Sequence, residues 1–387
     1  MKITIILALS TLLAFGAKAA TINAASTSLT DVQTAINSAS TGDTVQLPTG
    51  TSHWTAAISL TKSITILGNG TANTKIFNDT TASQGLETPV FDLKPGDNQL
   101  MRVSAITFED NNDAMTADGI DIDPTVLPTK VQIDNCVFTG FSFAVKNQTA
   151  FGVCYSCTFN NNNVSTRNQG FFNTASIPSS YSFTVPAWGT QQYFVWEDDT
   201  FNFTNWGGGK NSGNYMGDTE YPANYMIRHC TFNIARNAAV VTDGFDMHGT
   251  GGCQTPSNTT LNGFAPIIHD NNWVYTNNET VCPSKMLDIR GGNGCLFYNN
   301  TGSGCTGNIQ IRADPGSSQE PLNTYFWNNT QAGSSDSISS ITGSGGTSAP
   351  VLNTNYFTRE AYYSEMPYPH PLRGVKPQLL PLSPSAH

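Results

Sequence analysis

The stretch MRVSAITFED at 101–110 decides the fold, because the chain writes it again and again. It returns as VQIDNCVFTG at 131–140, GVCYSCTFNN at 152–161, YFVWEDDTFN at 193–202 and NYMIRHCTFN at 224–233. Later copies are PIIHDNNWVY at 266–275, GCLFYNNTGS at 294–303 and NTYFWNNTQA at 323–332. Each is an apolar alternation that runs into a polar pair and then an aromatic residue or a threonine. Alternation at period two is the mark of a strand. Phe108, Phe138, Phe159, Phe201, Phe232 and Trp273 hold one position of the phrase, at intervals of 30, 21, 42, 31 and 41 residues. A recurring strand at a variable interval predicts coils of one architecture with loops of different length between them. Such a chain stacks strand on strand into a solenoid, an all-β parallel β-helix. Its long face suits a long polymer.

Composition agrees. Over 387 residues only 12% are charged, and Asn, Thr, Ser and Gly fill the polar positions, as in a strand- and turn-rich surface. One elongated domain is expected rather than several globular ones. A net charge of −10 argues against nucleic acid as a partner. It leaves room for an anionic sugar polymer, because a local cluster of arginines can oppose the global charge.

Residues 1–20 read as a secretory signal peptide: Lys2 as basic n-region, Ile3 to Phe15 as apolar core, Ala17-Lys18-Ala19 as small-x-small cleavage site. The apolar run is too short to span a bilayer comfortably, and no other segment would span one. The expectation is a secreted monomer, extracellular or periplasmic, with the β-helix at 21–355 and a tail at 356–387 that packs on the last coils. That tail carries YYSEMPYPHPLRG at 362–374, and its end from Lys376 is expected to be disordered. Ser334–Ser348 is Gly/Ser-rich and reads as a loop.

At the start, Leu29 to Ala39 reads as an amphipathic helix, with Thr30 and Gln33 as a capping box and Leu29, Val32 and Ile36 on one face. It is suited to covering the open end of the solenoid. Eight cysteines in an oxidising compartment could pair. Cys253 and Cys295 each lie seven residues after an aspartate, Asp246 and Asp288, while Cys282 and Cys305 precede Asp288 and Gln310. With coils about 4.8 Å apart, Cys253–Cys295 and Cys282–Cys305 are expected to bridge coils. Cys136 and Cys157 are expected either to bridge or to stack as free buried thiols.

The capping helix, the openings GDTVQLPTGT (42–51) and ITILGNGT (64–71), and the repeats resemble the right-handed parallel β-helix proteins of the pectate-lyase-like superfamily. DMHGTGG (246–252), DIRGGNG (288–294) and PYPHPLR (367–373) are similar to segments of its bacterial secreted members. The resemblance covers nearly all of the chain beyond the leader. It implies a fold that hosts lyases, hydrolases and non-catalytic adhesins, so function has to be read from a site.

Three segments align as successive coils: DMHG at 246–249, DIRG at 288–291 and QIRA at 310–313, with NYMG at 214–217 as an earlier member. In that register Asn214, Asp246, Asp288 and Gln310 form one column, and Met216, His248, Arg290 and Arg312 form another. Stacked guanidiniums repel by about 3 kcal/mol at an effective dielectric near 20, unless Asp246, Asp288 and Asp314, or an anionic substrate, join them. Arginine suits bidentate binding of a carboxylate. The expected chemistry is lyase-type β-elimination on a uronate-containing polysaccharide. Arg290 and Arg312 would neutralise the carboxylate, and His248, oriented by Asp246, would act as base or acid.

Two other readings stand beside it. TDGFD at 242–246 resembles the acid-bearing motif of the polygalacturonase family, which implies a glycoside hydrolase using Asp243, Asp246 and Asp288. No paired aspartates follow in the next coil, and no lysine follows Arg312. The non-catalytic reading is a glycan-binding solenoid in which an Asp–Arg ladder merely holds coils in register. Trp206 and Tyr215, with Trp188, Tyr221 and Tyr225, are candidate sugar-stacking residues, or else core. The acids Glu109, Asp110, Asp113, Asp118, Asp121 and Asp123 raise calcium as a cofactor, which the resemblance also implies for some members. Their spacing fits a solvated acidic turn better.

Overall fold

The structure, a computed structural model, describes residues 19–80, 88–111, 117–125, 129–148, 150–162, 164–169, 188–190, 193–203, 215–220, 224–234, 243–247, 266–275, 285–289, 294–303, 309–313, 321–331, 334–335, 338–343 and 349–374. Residues 1–18, on which most of the leader reading rests, lie outside this set.

Among the described residues, strands from successive coils pair in parallel into three sheets of twelve, ten and eleven strands, here sheets A, C and B. Each coil passes from A to B to C before the next begins, which is the strand order of a parallel β-helix. Sheet B ends in one antiparallel pair, Thr330–Gln331 with Ser334–Ser335. The segment expected to be a Gly/Ser loop contributes that short strand and also Ile338–Gly343, the last strand of sheet C, paired with Ile309–Ala313. Its composition hid the strand, in which Ile338 and Ile341 stand opposite Ile309 and Ile311 across a register shift between Ile309 and Gln310.

The repeat phrase sets the core. Phe108, Phe138, Phe159, Phe201, Phe232 and Trp273 are in register on sheet B and fully buried. Their rings stack from coil to coil with centroids 4.4–5.2 Å apart. This is the strand spacing expressed in aromatic contact.

The polar pair in the phrase makes the turn from sheet A to sheet B. Its first member has positive φ in coil after coil, as at Asn135, Asp198, Asp270, Asn299 and Asn328. Asn and Asp tolerate that left-handed conformation best among residues with a Cβ. The second member points inward and builds a ladder. Asn300 accepts from the Asn271 N–H at 3.2 Å and donates to the Ile268 carbonyl at 3.0 Å. Asn271 and Asn329 repeat both bonds one coil away.

Helix α1, Leu29–Ser38, buries Val32, Ala35 and Ile36 against the first coil. Its N-cap is Ser28, whose hydroxyl accepts from the Asp31 N–H at 3.2 Å, rather than the expected Thr30. Thr30 already lies inside the first turn, and Gln33 bonds Asn37 instead. Lys62 closes the other end by donating to the carbonyls of Ile36, Asn37 and Ala39, where helix C-termini favour cations.

The C-terminal segment crosses the outer face of sheet A as a strap. It runs back from Tyr356, beside Thr324, to Arg373 over the Tyr155 ring. On the way Tyr363 meets Tyr298, Arg228 donates to the Met366 and Pro367 carbonyls, and the His370 N–H donates to Glu197. A second apolar cluster, including Val195, Met226, Ile267, Leu296 and Met366, lies between sheet and strap. The strap thus reaches well beyond the last coils.

Candidate functional site

Sheet C carries the residues that the DMHG, DIRG and QIRA alignment brought forward. Strands Asp243–Met247, Lys285–Ile289 and Ile309–Ala313 pair in parallel, with Asp246 opposite Asp288 and Asp288 opposite Gln310. Phe245, Met247, Leu287, Ile289, Ile309 and Ile311 on either side belong to the core. Strand alternation therefore turns Asp246, Asp288 and Gln310 to the outer face. They point away from the apolar interior, yet Asp246 and Asp288 are completely buried there.

One member of that column differs from expectation. Opposite Asp246 stands Asp218, not Asn214, because the preceding strand is Tyr215–Glu220 with Gly217 opposite Phe245. The NYMG segment had been placed four residues out of register, on a resemblance of glycine positions that the strand does not respect. Asp218, Asp246 and Asp288 are 5%, 0% and 0% exposed. Among the described residues these three aspartates stand in register on three successive coils.

Followed toward the N-terminus, the column continues through Arg167, Lys146, Asp121 and Asp92 to Ser59. A lysine and an arginine thus stand opposite each other, with aspartates on both sides. Lys146 was not singled out from sequence. The signal was there in KNQ at 146–148 and RNQ at 167–169, which align residue for residue. The Lys146 ammonium lies 2.6 Å from Asp121 and 3.3 Å from Asp118. Burial works against its charge, but these two carboxylates outweigh it and raise its pKa. Lys146 is therefore a cation at neutral pH and not a base.

The acids at 109–123 do not form a solvated turn. Glu109 sits on the strand Thr107–Asp110 and pairs with Lys75 at 2.6 Å. Asp118 and Asp121 belong to the next strand, Asp118–Ile122, are 0% and 9% exposed, and hold Lys146. Burial, with Asp92 nearby, raises the Asp123 carboxyl. Lying on two strands and tied to two lysines, these groups do not converge as a calcium loop does. Asp113 lies outside the described residues.

Of the remaining candidates, Asp243 opens its strand opposite Lys285, three residues from Asp246 and so of the other parity. Tyr215 opens its strand opposite Val164, and Arg312 stands opposite Thr342. His248, Arg290, Asp314, Trp206 and Tyr221 lie outside the described residues. Trp188 donates to the Gly294 carbonyl and packs on Tyr325 and Tyr363 under the strap, while Tyr225 is in the core. These two aromatics are packing residues.

The cysteine expectations change as well. Cys295 is a free thiol, fully inside the core, with its sulfur 3.9 Å from the Met247 sulfur, so it does not bridge to Cys253. Cys136 and Cys157 are free and stacked, the Cys136 N–H reaching the Cys157 sulfur at 3.4 Å. Cys253, Cys282 and Cys305 lie outside the described residues.

No family model matches the sequence, and no curated protein matches it. Among solved structures the chain is similar to an alginate lyase from Paenibacillus sp. str. FPU-7, at 14% identity and a TM-score of 0.46, covering 82% of this chain and 96% of that one. It is also similar to ORF18 of Geobacillus virus E2, at 14% identity and a TM-score of 0.32, covering 84% and 56%.

Proposed function

We propose that this chain is a secreted polysaccharide lyase that cleaves a uronate-containing polymer by β-elimination on the outer face of sheet C. The observation that carries this reading is the column itself. Charged groups stand in register on seven consecutive coils from Asp92 to Asp288, with two cations, Lys146 and Arg167, opposite each other at its centre. Like charges side by side are costly unless anions join them. Asp121 and Asp118 already supply anions to Lys146, and a sugar carboxylate would have to compete with them for the two cations. Neutralising a uronate carboxylate acidifies the proton on the adjacent carbon, which elimination must remove. Lys146 fits the neutralising role because it keeps its proton. Arg312, on the Ile309–Ala313 strand, and Arg290 and His248, which lie outside the described residues, would supply a second carboxylate-binding pair and a base or acid.

A second reading rests on a different observation. The three aspartates Asp218, Asp246 and Asp288 in register supply the carboxyl pair that glycoside hydrolysis requires. One assay separates the readings. The purified protein is given alginate, polygalacturonate and neutral glycans, and both unsaturated-product absorbance and reducing ends are followed. Absorbance that disappears in Lys146→Ala or Arg290→Ala supports elimination and says which end of the face performs it. Reducing ends without absorbance, lost in Asp246→Asn, would establish hydrolysis. Binding without either product would leave a glycan-binding solenoid.

A further inference from the structure

The ladder under the A-to-B turn changes its chemistry at one place. Its rungs from Cys230 onward are served by asparagines, each accepting one bond through its oxygen and donating another through its amide. Asp199 occupies the same slot beside Cys157. Its Oδ1 accepts from the Cys157 N–H at 2.7 Å, which reproduces the first half of the asparagine pattern. It has no amide for the second half, and its buried Oδ2 meets no donor beyond the Cys154 thiol. A buried oxygen left so costs stability that an asparagine would have recovered.

What stands beside that oxygen is a Cys-x-x-Cys pair. The sulfurs of Cys154 and Cys157 and a carboxylate oxygen of Asp199 all lie within 4.8 Å of one another. Their residues are 0%, 1% and 1% exposed. Sulfurs bound tetrahedrally to one zinc ion at about 2.3 Å are themselves about 3.8 Å apart, so the spread needs little adjustment. Cys136 and Cys230 stand on the flanking rungs.

We propose that Cys154, Cys157 and Asp199 bind one thiophilic metal ion, zinc in the first instance, as a structural centre enclosed in the solenoid. Binding forms two metal–sulfur bonds and one metal–oxygen bond and releases the protons of the three groups, with no change of oxidation state. The closed position means that the ion enters as the chain folds and leaves only when it unfolds.

The test uses the whole protein, produced in zinc-supplemented medium, passed over a chelating resin while folded, and analysed for zinc and copper. The expected result is one ion per chain, held through the resin and released to a colorimetric zinc indicator only in denaturant. Asp199→Asn then abolishes the metal and lowers the Tm. The competing account, a protonated Asp199 that stands in for asparagine, predicts the opposite for this variant, because the amide completes the ladder and the Tm holds or rises. Folded wild-type protein without zinc or copper overturns the proposal. So does a Cys154–Cys157 disulfide found by thiol titration of the unfolded chain. Because the wild-type metal content decides by itself, a variant that fails to fold does not rescue the idea.

Discussion

Arg228 and Glu197 are both completely buried and pair at 2.7 Å between neighbouring strands of sheet A. The same guanidinium donates to the Met366 and Pro367 carbonyls, at 2.8 and 2.7 Å. Glu197 in turn accepts from the His370 N–H and from Arg373. One ion pair thus fastens two coils to each other and the strap to both. Five donors in a fixed fork let arginine do this where lysine would leave carbonyls unserved.

Arg228→Ala should therefore destabilise the protein by about 3 kcal/mol, since it takes one of two guanidiniums from a buried carboxylate and leaves the Met366 and Pro367 carbonyls without their donor. It should also free the strap. Urea denaturation measures the first effect, and limited proteolysis within 356–374 the second. Arg228→Lys should recover only part of either.

His370 gives the strap a dependence on pH. Its imidazole Nδ1 accepts from the Leu372 N–H at 3.2 Å, so this nitrogen carries no proton in the folded state. Burial, with the cations Arg228 and Arg373 nearby, depresses its pKa to about 4 against the attraction of Glu197. The unfolded chain takes up a proton near pH 6.5, the folded one only near pH 4, so stability falls as pH drops through that window. The loss should reach about 3 kcal/mol at the acid end. Urea midpoints at pH 7 and pH 4.5 should differ less in His370→Gln than in the native sequence.

Asn300 tests the ladder. Asn300→Ala removes an acceptor from the Asn271 N–H and a donor to the Ile268 carbonyl, both buried. The expected cost is about 2–5 kcal/mol. Asn300→Asp keeps the acceptor and should fall in between, with its deficit shrinking at low pH as the acid protonates. Thermal melts across pH check both.

On sheet C, Lys146→Ala should weaken turnover of an acidic polymer by a factor on the order of ten or more, chiefly through KM if the lysine binds carboxylate in ground and transition states alike. Lys146→Arg should retain much of the activity. Steady-state kinetics on the substrate found in the panel decides it.

The sequence by itself determined the coil. The repeat phrase specified a strand, a turn and a second strand, and the six aromatic positions from Phe108 to Trp273 landed in one buried stack because a period of two leaves no other face for them. The pairing of Asp246 with Asp288 and Gln310 was legible for the same reason, as apolar neighbours on both sides of each fixed its register. Where those neighbours were weak, as around Asn214, the reading slipped by four residues. Tertiary structure alone decided what lies on the outside of the coils. No local pattern says that Tyr363 to Arg373 will cross the face that begins at Tyr155, because that contact joins segments roughly 200 residues apart and depends on side chains presented by six different coils. Nor does spacing say whether two cysteines face each other or the core. Register is a property of neighbouring strands, which repetition reveals. A docking surface is a property of the assembled solenoid, which exists only once the coils have stacked.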